Sequence, residues 1–293
     1  MKRALLAGNL VGIVAPLVGV FLNLRRLSLI GHALSHVALA GVAIGLYAGF
    51  FPIYSAIVVS VIAALAIEKL RRDYADYAEL SLAIILAAGL GIATILINLS
   101  QRSAGIQSYL FGSISLVGSR DIYIILFLTI IIIAIIVKFY YGFFFLAFNE
   151  DEARLAGVPA KSLNIIFMIV TSLTVALSIQ IVGTLLIASL ITIPVATGML
   201  LGKSFKMTIF YSIFFSLISV NAGIILSFYY DLASGGTIIL FSVVLLLLII
   251  SIKKLFNINL FVQYYNLELF CKILIFMIYF KIERLSLKIT ICY

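Results

Sequence analysis

Long apolar runs separated by short polar segments dominate the chain. Each run has about 17–25 residues, the length that a helix needs to cross the hydrocarbon core of a bilayer. The runs lie at about 4–24, 30–48, 53–69, 80–98, 121–140, 162–179, 183–201, 205–229 and 236–252. They are continuously apolar, whereas strands of a membrane β-barrel alternate apolar and polar residues. The pattern predicts an all-α fold, a polytopic transmembrane helical bundle with about eight to ten spans.

Residues 1–254 form one predicted transmembrane domain, and the tail at 255–293 is atypical. The tail contains no Gly or Ala and is rich in Ile, Leu, Phe, Tyr and Lys. For it we expect an interfacial amphipathic helix, with a tenth span as the alternative. The number of spans would also change if the segment at 101–118 dips into the membrane.

Composition agrees with a membrane location. Hydrophobic residues make up 65% of the 293 residues and charged residues only 11%, against about 25% charged in typical soluble domains. A chain this apolar needs lipid as its solvent, and in lipid a helix pairs its own backbone N–H and C=O groups. The predicted location is therefore the cell membrane, with several passes.

The positive charge sets the expected orientation. The formal net charge is +9, which in a soluble protein would raise the question of nucleic acid, but here lysines and arginines concentrate in alternate loops. One set comprises Arg25 and Arg26; Lys69, Arg71 and Arg72; Lys138, Arg154 and Lys161; Lys203 and Lys206; and Lys253 and Lys254. The opposite set comprises Lys2, Arg3, Arg102 and Arg120. The larger set should be cytoplasmic, so we expect no nucleic-acid partner and an external N-terminus, although Lys2 and Arg3 oppose that placement.

The second predicted span carries the only two histidines of the chain. His32 and His36 are four residues apart, which places both imidazoles on one face of a helix. Small residues surround them, a pattern that suits a thin helix beside a pathway. Imidazole is costly in lipid and is a common ligand of transition metals, so we expect both residues to contact a metal ion. Hydrogen bonding to neighbouring helices is the alternative. Two ligands leave a tetrahedral shell incomplete, which favours weak, transient binding.

A polar segment at 149–164 interrupts the apolar pattern on the predicted cytoplasmic side. Glu150, Asp151 and Glu152 favour the start of a helix through its dipole, whereas Gly157 and Pro159 favour its end. We expect a short helix of about two turns outside the membrane, with Ser162 capping the next span. It is either a structured loop or a docking site for a cytoplasmic partner.

No enzymatic site is evident in the sequence. The stretch 198–204 resembles a nucleotide-binding P-loop, but its glycines are one residue too close and it ends an apolar run rather than following a strand. No arrangement of Ser, His and Asp and no carboxylate pair suits catalysis. We therefore expect a transporter subunit that needs no cofactor, with ATP hydrolysed, if at all, by another polypeptide.

Several collinear segments resemble the ABC-3 family of membrane permeases, which import zinc, manganese or iron. They read GHALSHVALAGVAIG at 31–45, YLFGSI at 109–114, EDEARLAGV at 150–158, QIVGTLLIASLITIPVATGMLL at 180–201 and FYYDLASGGTIIL at 228–240. Together they span about residues 4–254. The resemblance implies the fold of an ABC importer permease, alternating access and energy from separate ATPase subunits.

The resemblance also implies partners and sites. It implies a second permease copy, with a homodimer expected, cytoplasmic ATP-binding subunits, and an extracytoplasmic metal-binding lipoprotein. The ATPase-docking loop would include Glu150, Asp151, Glu152, Ala153 and Gly157. In the family, an Asp and a His of the second span line the metal path; His36 matches that His, whereas His32 stands where the family usually has Asp. The softer nitrogen ligand favours zinc or iron over manganese.

Three other functions compete with this interpretation. One is a permease of the vitamin B12 or siderophore type, which has a wide pathway without metal ligands. An ion-gradient-driven carrier is another, but it would be expected to show internal repeats and intramembrane carboxylates. An intramembrane enzyme is the third, and the lack of a catalytic constellation argues against it.

Overall fold

The computed structural model describes residues 2–74, 77–99, 108–112 and 118–255, and the regular structure in these ranges is helical. The main helices are α1 (Lys2–Leu24), α2 (Ser28–Ala48), α3 (Pro52–Asp73), α4 (Ala78–Leu99), α5 (Ser119–Lys138), α6 (Tyr140–Phe148), α7 (Glu150–Leu155), α8 (Ala160–Val182), α9 (Ile187–Leu201), α10 (Phe205–Tyr230) and α11 (Ser234–Leu255). The chain divides into two compact units, Met1–Ser251 and Ile252–Tyr293. The described residues end at 255, so the expected helix or span in the tail lies outside them. Most of the segment at 101–118 also lies outside the described residues.

The predicted class of fold is confirmed. Within the described ranges, α1, α2, α3, α4, α5, α8, α10 and α11 are long and apolar enough to cross a membrane. The predicted span at 183–201 corresponds to the shorter apolar helix α9, which has 15 residues. Helix α9 starts later than predicted because Gly183, with a φ of +84°, ends α8. A turn then separates Gly183 from the start of α9 at Ile187.

One local prediction was wrong, and one helix was not predicted. Ser162 does not cap the helix after the polar segment, because α8 already begins at Ala160, directly behind Pro159. The predicted span at 121–140 is confirmed as α5, which ends at Lys138. After a break at Phe139 the chain forms the unpredicted apolar helix α6. Helix α6 buries Phe143, Leu146 and Ala147 against the bundle.

Helix α2 lies at the centre of the bundle. Of the eight spans its apolar window is the most buried, at 78%, against 17% for α4 and 22% for α5 and α11. Its glycines explain the close packing: a Cβ atom on Gly41 would lie 2.7 Å from the Cα of Ala56 in α3. On another side, Gly89 of α4 lies against Val37. The thin helix expected from the sequence therefore occupies a central position.

Helices α1 and α10 share a polar contact within their packed faces. The Nδ2 of Asn221 donates a hydrogen bond to the Oδ1 of Asn9 at 2.6 Å and another to the carbonyl of Leu217 at 2.8 Å. Gly8 and Gly12 of α1 also face α10, with the side chain of Val220 beside both. This amide pair joins residues more than two hundred positions apart in the sequence.

Three glycines meet where α8 ends and α11 begins. Gly112 and Gly183 both have positive φ values, +76° and +84°, and each packs against the backbone of the other's segment. The backbone N–H of Thr184 donates to the carbonyl of Tyr109 at 2.9 Å. Gly235 lies against the carbonyl oxygens of Val182 and Phe111. We call Gly112, Gly183 and Gly235 the glycine junction.

Candidate functional site

The two histidines of α2 lie together, as their spacing predicts. The ring centroids of His32 and His36 are 4.7 Å apart and the ring planes are perpendicular. Both come from the most buried span, His32 half-buried and His36 only 6% exposed. Two imidazoles this close, one helical turn apart, can approach the same small cation.

The polar atoms around the histidines are unequally satisfied. The Oγ of Ser35 donates a hydrogen bond to the carbonyl of His32 at 2.7 Å, so its proton is used within the helix. The Nδ1 of His36 is buried and has no hydrogen-bond partner. Because a buried polar atom without a partner is unfavourable, this nitrogen is suited to a ligand that enters from outside the chain.

Within the described part of the chain, no third strong ligand completes the pair. Among the residues described, no group of three or more His, Cys, Asp or Glu side chains could hold a metal ion. A structural zinc site would have four protein ligands in a closed shell. The geometry therefore fits an ion that passes, since permeation requires binding weak enough to allow release.

The polar segment at the other predicted site forms a short helix. Helix α7 covers six residues, from Glu150 to Leu155, and is capped by Asn149, whose Oδ1 accepts hydrogen bonds from the backbone N–H groups of Asp151 and Glu152. The chain leaves it through Gly157, with a φ of +80°. We call α7 and its exit through Gly157 the docking segment.

The five residues predicted for docking do not share one face. Asp151, Glu152 and Gly157 are exposed, and a Cβ atom on Gly157 would meet open space. Ala153 is only 2% exposed and faces the bundle, and Glu150 also points inward. Leu155, which the sequence analysis did not select, is 89% exposed and extends the outward face.

The inward carboxylate of Glu150 is bound by three elements. The Nη2 of Arg25 lies 3.3 Å from its Oε2, and the Nδ2 of Asn164 donates to its Oε1 at 3.0 Å. Arg154 of the same helix donates to Oε1 at 2.7 Å. Arg71 of α3 lies 3.9 Å from Oε2. Arg25 therefore contributes from the turn between α1 and α2, and Asn164 from the start of α8.

Further contacts close this cluster. Arg25 also donates to the Oδ1 of Asn164 at 2.8 Å, and its guanidinium lies 5.6 Å from the ring centroid of Phe167. Arg71 pairs with Glu68 at 3.0 Å. We call Arg25, Glu68, Arg71, Glu150, Arg154 and Asn164 the Glu150 cluster. It shows that three of the predicted cytoplasmic loops lie at one end of the bundle.

The charges of the cluster affect one another. Burial disfavours the ionised form of Glu150, but Arg71, Arg25 and Arg154 outweigh that effect and lower the pKa of its carboxyl below the ordinary value. Burial, followed by the charge of Arg71, lowers the pKa of Arg25, while Glu150 and Glu68 act in the opposite direction. An arginine nevertheless remains charged, so the cluster is ionic.

Phenylalanines pack beneath the cluster. The rings of Phe21, Phe143 and Phe167 contact one another with centroid separations of 5.5 to 6.2 Å, and Phe205 lies 5.3 Å from Phe21. Such aromatic contacts contribute about 0.5–1.5 kcal/mol each beyond their burial. They bring α1, α6, α8 and α10 together, and Phe167 connects this packing to Arg25 of the cluster.

Sequence reasoning missed the residues that hold the docking segment in place. Arg25 and Arg71 were counted only as charges that orient the chain, Asn164 was treated as part of the loop, and Glu68 was overlooked although it lies within the predicted span at 53–69. An acidic residue three positions before an arginine at a helix end, as in Glu68 and Arg71, could have indicated a paired group.

The chain is similar to known proteins over nearly all of the described bundle. Residues 1–253 match the model of the ABC 3 transport family. A probable metal transport system membrane protein of Treponema pallidum is 38% identical over 254 residues, which cover 87% of this chain and 96% of that protein. The high-affinity zinc uptake system membrane protein ZnuB of Haemophilus influenzae is 30% identical, with coverages of 84% and 94%.

Two further similarities extend this comparison. The manganese transport system membrane protein MntC of Halalkalibacterium halodurans is 31% identical over 242 residues, covering 82% of each chain. The solved structure of PsaBC from Streptococcus pneumoniae in complex with Fab superposes with a TM-score of 0.77 at 30% identity, covering 85% of this chain and 90% of that one. Sequence and fold therefore agree over the same region.

Proposed function

The chain belongs to the ABC 3 transport family, and on that basis we propose that it is the membrane permease subunit of an ATP-driven importer of divalent transition-metal ions. The observation that carries the proposal is the match of residues 1–253 to the family. The chain is a multi-pass protein of the cell membrane, with eight helices among its described residues long enough to span it. Relatives named for zinc and for manganese point to these two ions as the first candidates for the cargo.

The proposed metal path passes the histidine pair. His32 and His36 lie on the central helix with their rings 4.7 Å apart, and the buried Nδ1 of His36 has no protein partner. A two-nitrogen site binds an ion without enclosing it. Imidazole suits zinc and iron better than manganese, which prefers oxygen ligands.

The energy for transport would come from partner subunits on the cytoplasmic side. The outward face of the docking segment offers Asp151, Glu152, Leu155 and Gly157, and we assign it to the ATP-binding subunits. Hydrolysis there would drive the permease between outward-open and inward-open states. A second copy of this chain and an extracytoplasmic metal-binding protein complete the proposed transporter.

The decisive experiment is uptake in proteoliposomes that contain the permease and its ATP-binding subunits, with the extracytoplasmic metal-binding protein supplied on the delivery side. Zinc, manganese and iron compete in the same assay, with and without ATP. We expect ATP-dependent uptake of at least one ion, and we expect the double variant His32→Ala/His36→Ala to lose most of it because both nitrogen ligands are removed. Binding of the same ion to the detergent-solubilised permease, measured by calorimetry, should weaken in parallel.

A matched variant controls for damage to α2. Leu29 lies one turn before the histidines and is 57% exposed, so Leu29→Ala should keep uptake and binding. Normal uptake by the double histidine variant would refute the assigned metal path. Absence of ATP-dependent uptake of every ion by the wild-type complex would refute the importer itself.

A further inference from the structure

Glu150 belongs to the docking segment, yet its carboxylate faces away from a partner. The side chain is 25% exposed, and its oxygens are occupied by Arg25, Arg154 and Asn164. Asp151, the next residue, is exposed. A docking contact needs a free outward group, so the chemistry of Glu150 fits a role in fixing the segment to the bundle.

The arginine that holds Glu150 is close in the chain to the proposed metal path. Arg25 lies within a tight turn in which the N–H of Leu27 donates to the carbonyl of Leu22 at 2.8 Å, and Arg26 adopts a φ of +57°. Helix α2 begins at Ser28, so His32 lies one helical turn into it. Hydrogen-bond and salt-bridge networks joined to rigid helices are the kind of connection that carries coupling between separate sites.

The same carboxylate also holds two other elements. Asn164 lies in the first turns of α8, and it is buried and bonded to both Arg25 and Glu150. Arg71 lies at the end of α3, where it pairs with Glu68 and approaches Glu150. A charged side chain with fixed, charge-assisted hydrogen bonds moves with its partners rather than apart from them.

We propose that Glu150 is a positioning residue that locks the docking segment to the α1–α2 turn, so that a displacement of that segment is passed to the helix bearing His32 and His36. The proposal rests on the proposed function, since it assumes that ATP-binding subunits move the docking segment. It assigns Glu150 to coupling and the outward residues to partner binding.

The test compares uptake and ATP hydrolysis in the reconstituted complex. Glu150→Gln removes the charge but keeps the shape, so partner assembly and ATP hydrolysis should remain. The number of zinc or manganese ions imported per ATP should fall at least about fivefold, the lower end of typical coupling between sites. Arg25→Gln should act in the same direction. The double variant should be no worse than Glu150→Gln, because both changes break one link.

Matched variants separate coupling from docking and from general damage. Arg26→Gln removes an exposed arginine of the same turn and should keep the wild-type ratio of ions to ATP. Gly157→Arg places bulk in the open space outside the segment and should abolish stimulation of the ATPase.

The outcomes are distinguishable. A wild-type ratio in Glu150→Gln would overturn the proposal. Loss of ATPase stimulation like that expected for Gly157→Arg would also overturn it, because Glu150 would then be a docking contact. If Glu150→Gln does not fold, Arg25→Gln removes the same ion pair from its other side and must lower the ratio for the proposal to stand. Failure of the proposed function looks different, because the wild-type complex would then show no ATP-dependent uptake.

Discussion

For single residues, the direction in which the side chain points determines a function that the residue type alone does not. The sequence placed His32 and His36 on one helical face, and the spacing alone was sufficient because an α-helix has a fixed period. It also grouped Glu150 with Asp151 and Glu152 as one acidic surface. The structure turns Glu150 inward, and its partners, Arg25 and Asn164, are 125 and 14 residues away in the chain. Contacts at such separations depend on tertiary packing, so local pattern could not indicate them.

The lowered pKa of Glu150 makes the stability of the protein depend on pH. A carboxyl whose pKa is lower in the folded state stabilises it above the unfolded value, about 4.3 for Glu, and this contribution disappears as the pH falls through the folded value. We therefore expect the melting temperature of the wild type to fall more on acidification below about pH 4.5 than that of Glu150→Gln. Circular dichroism suits the measurement, since the chain contains no tryptophan.

A neighbouring carboxylate provides the control for this pH response. Asp151→Asn changes an exposed group of the same helix, so its melting temperature should follow the wild type. An equal response of Glu150→Gln and the wild type would contradict an ionic role for Glu150 in the folded state.

Helices were predicted well where the length of an apolar run determines them. They were predicted poorly where tertiary packing determines the point at which one helix ends and the next begins. Continuous apolar runs predicted the spans, because a helix that crosses the hydrocarbon core needs an apolar segment of sufficient length. The break at Phe139 between α5 and α6 carries no proline or glycine, and its cause is tertiary: α6 buries Phe143 against Phe21 and Phe167. Likewise, α9 begins late because Gly183 must meet the segment of Gly112.

The glycine junction predicts opposite effects at two adjacent positions of α11. A Cβ atom on Gly235 would collide with the carbonyl oxygen of Val182 and lie 2.6 Å from that of Phe111, whereas one on Gly236 would meet nothing within 4 Å. Gly235→Ala should therefore lower stability by about 1–3 kcal/mol. Gly236→Ala should be neutral or stabilising, because Ala favours helices by roughly 0.5–1 kcal/mol over Gly. Thermal denaturation in detergent measures both, and equal melting temperatures would count against this packing.

At the scale of the whole molecule, we expect transport to depend on the helical bundle and not on the tail. The family match ends at residue 253, before the atypical composition of 255–293 begins. Deletion of residues 256–293 should therefore leave ATP-dependent metal uptake largely intact in the reconstituted complex. Expression matched by quantitative blotting is the control, and complete loss of uptake at equal expression would show that the tail takes part in transport.

The amide pair between α1 and α10 restricts how a transporter of this shape can move. Sliding α10 by one turn along α1 would separate Asn221 from Asn9 and leave Asn221 only its hydrogen bond to Leu217 within α10. Loss of a hydrogen bond between helices is unfavourable away from water. We therefore expect these two helices to move together during transport. Opening and closing of the pathway would then take place between other helices, at contacts without an amide hydrogen bond between the two helices.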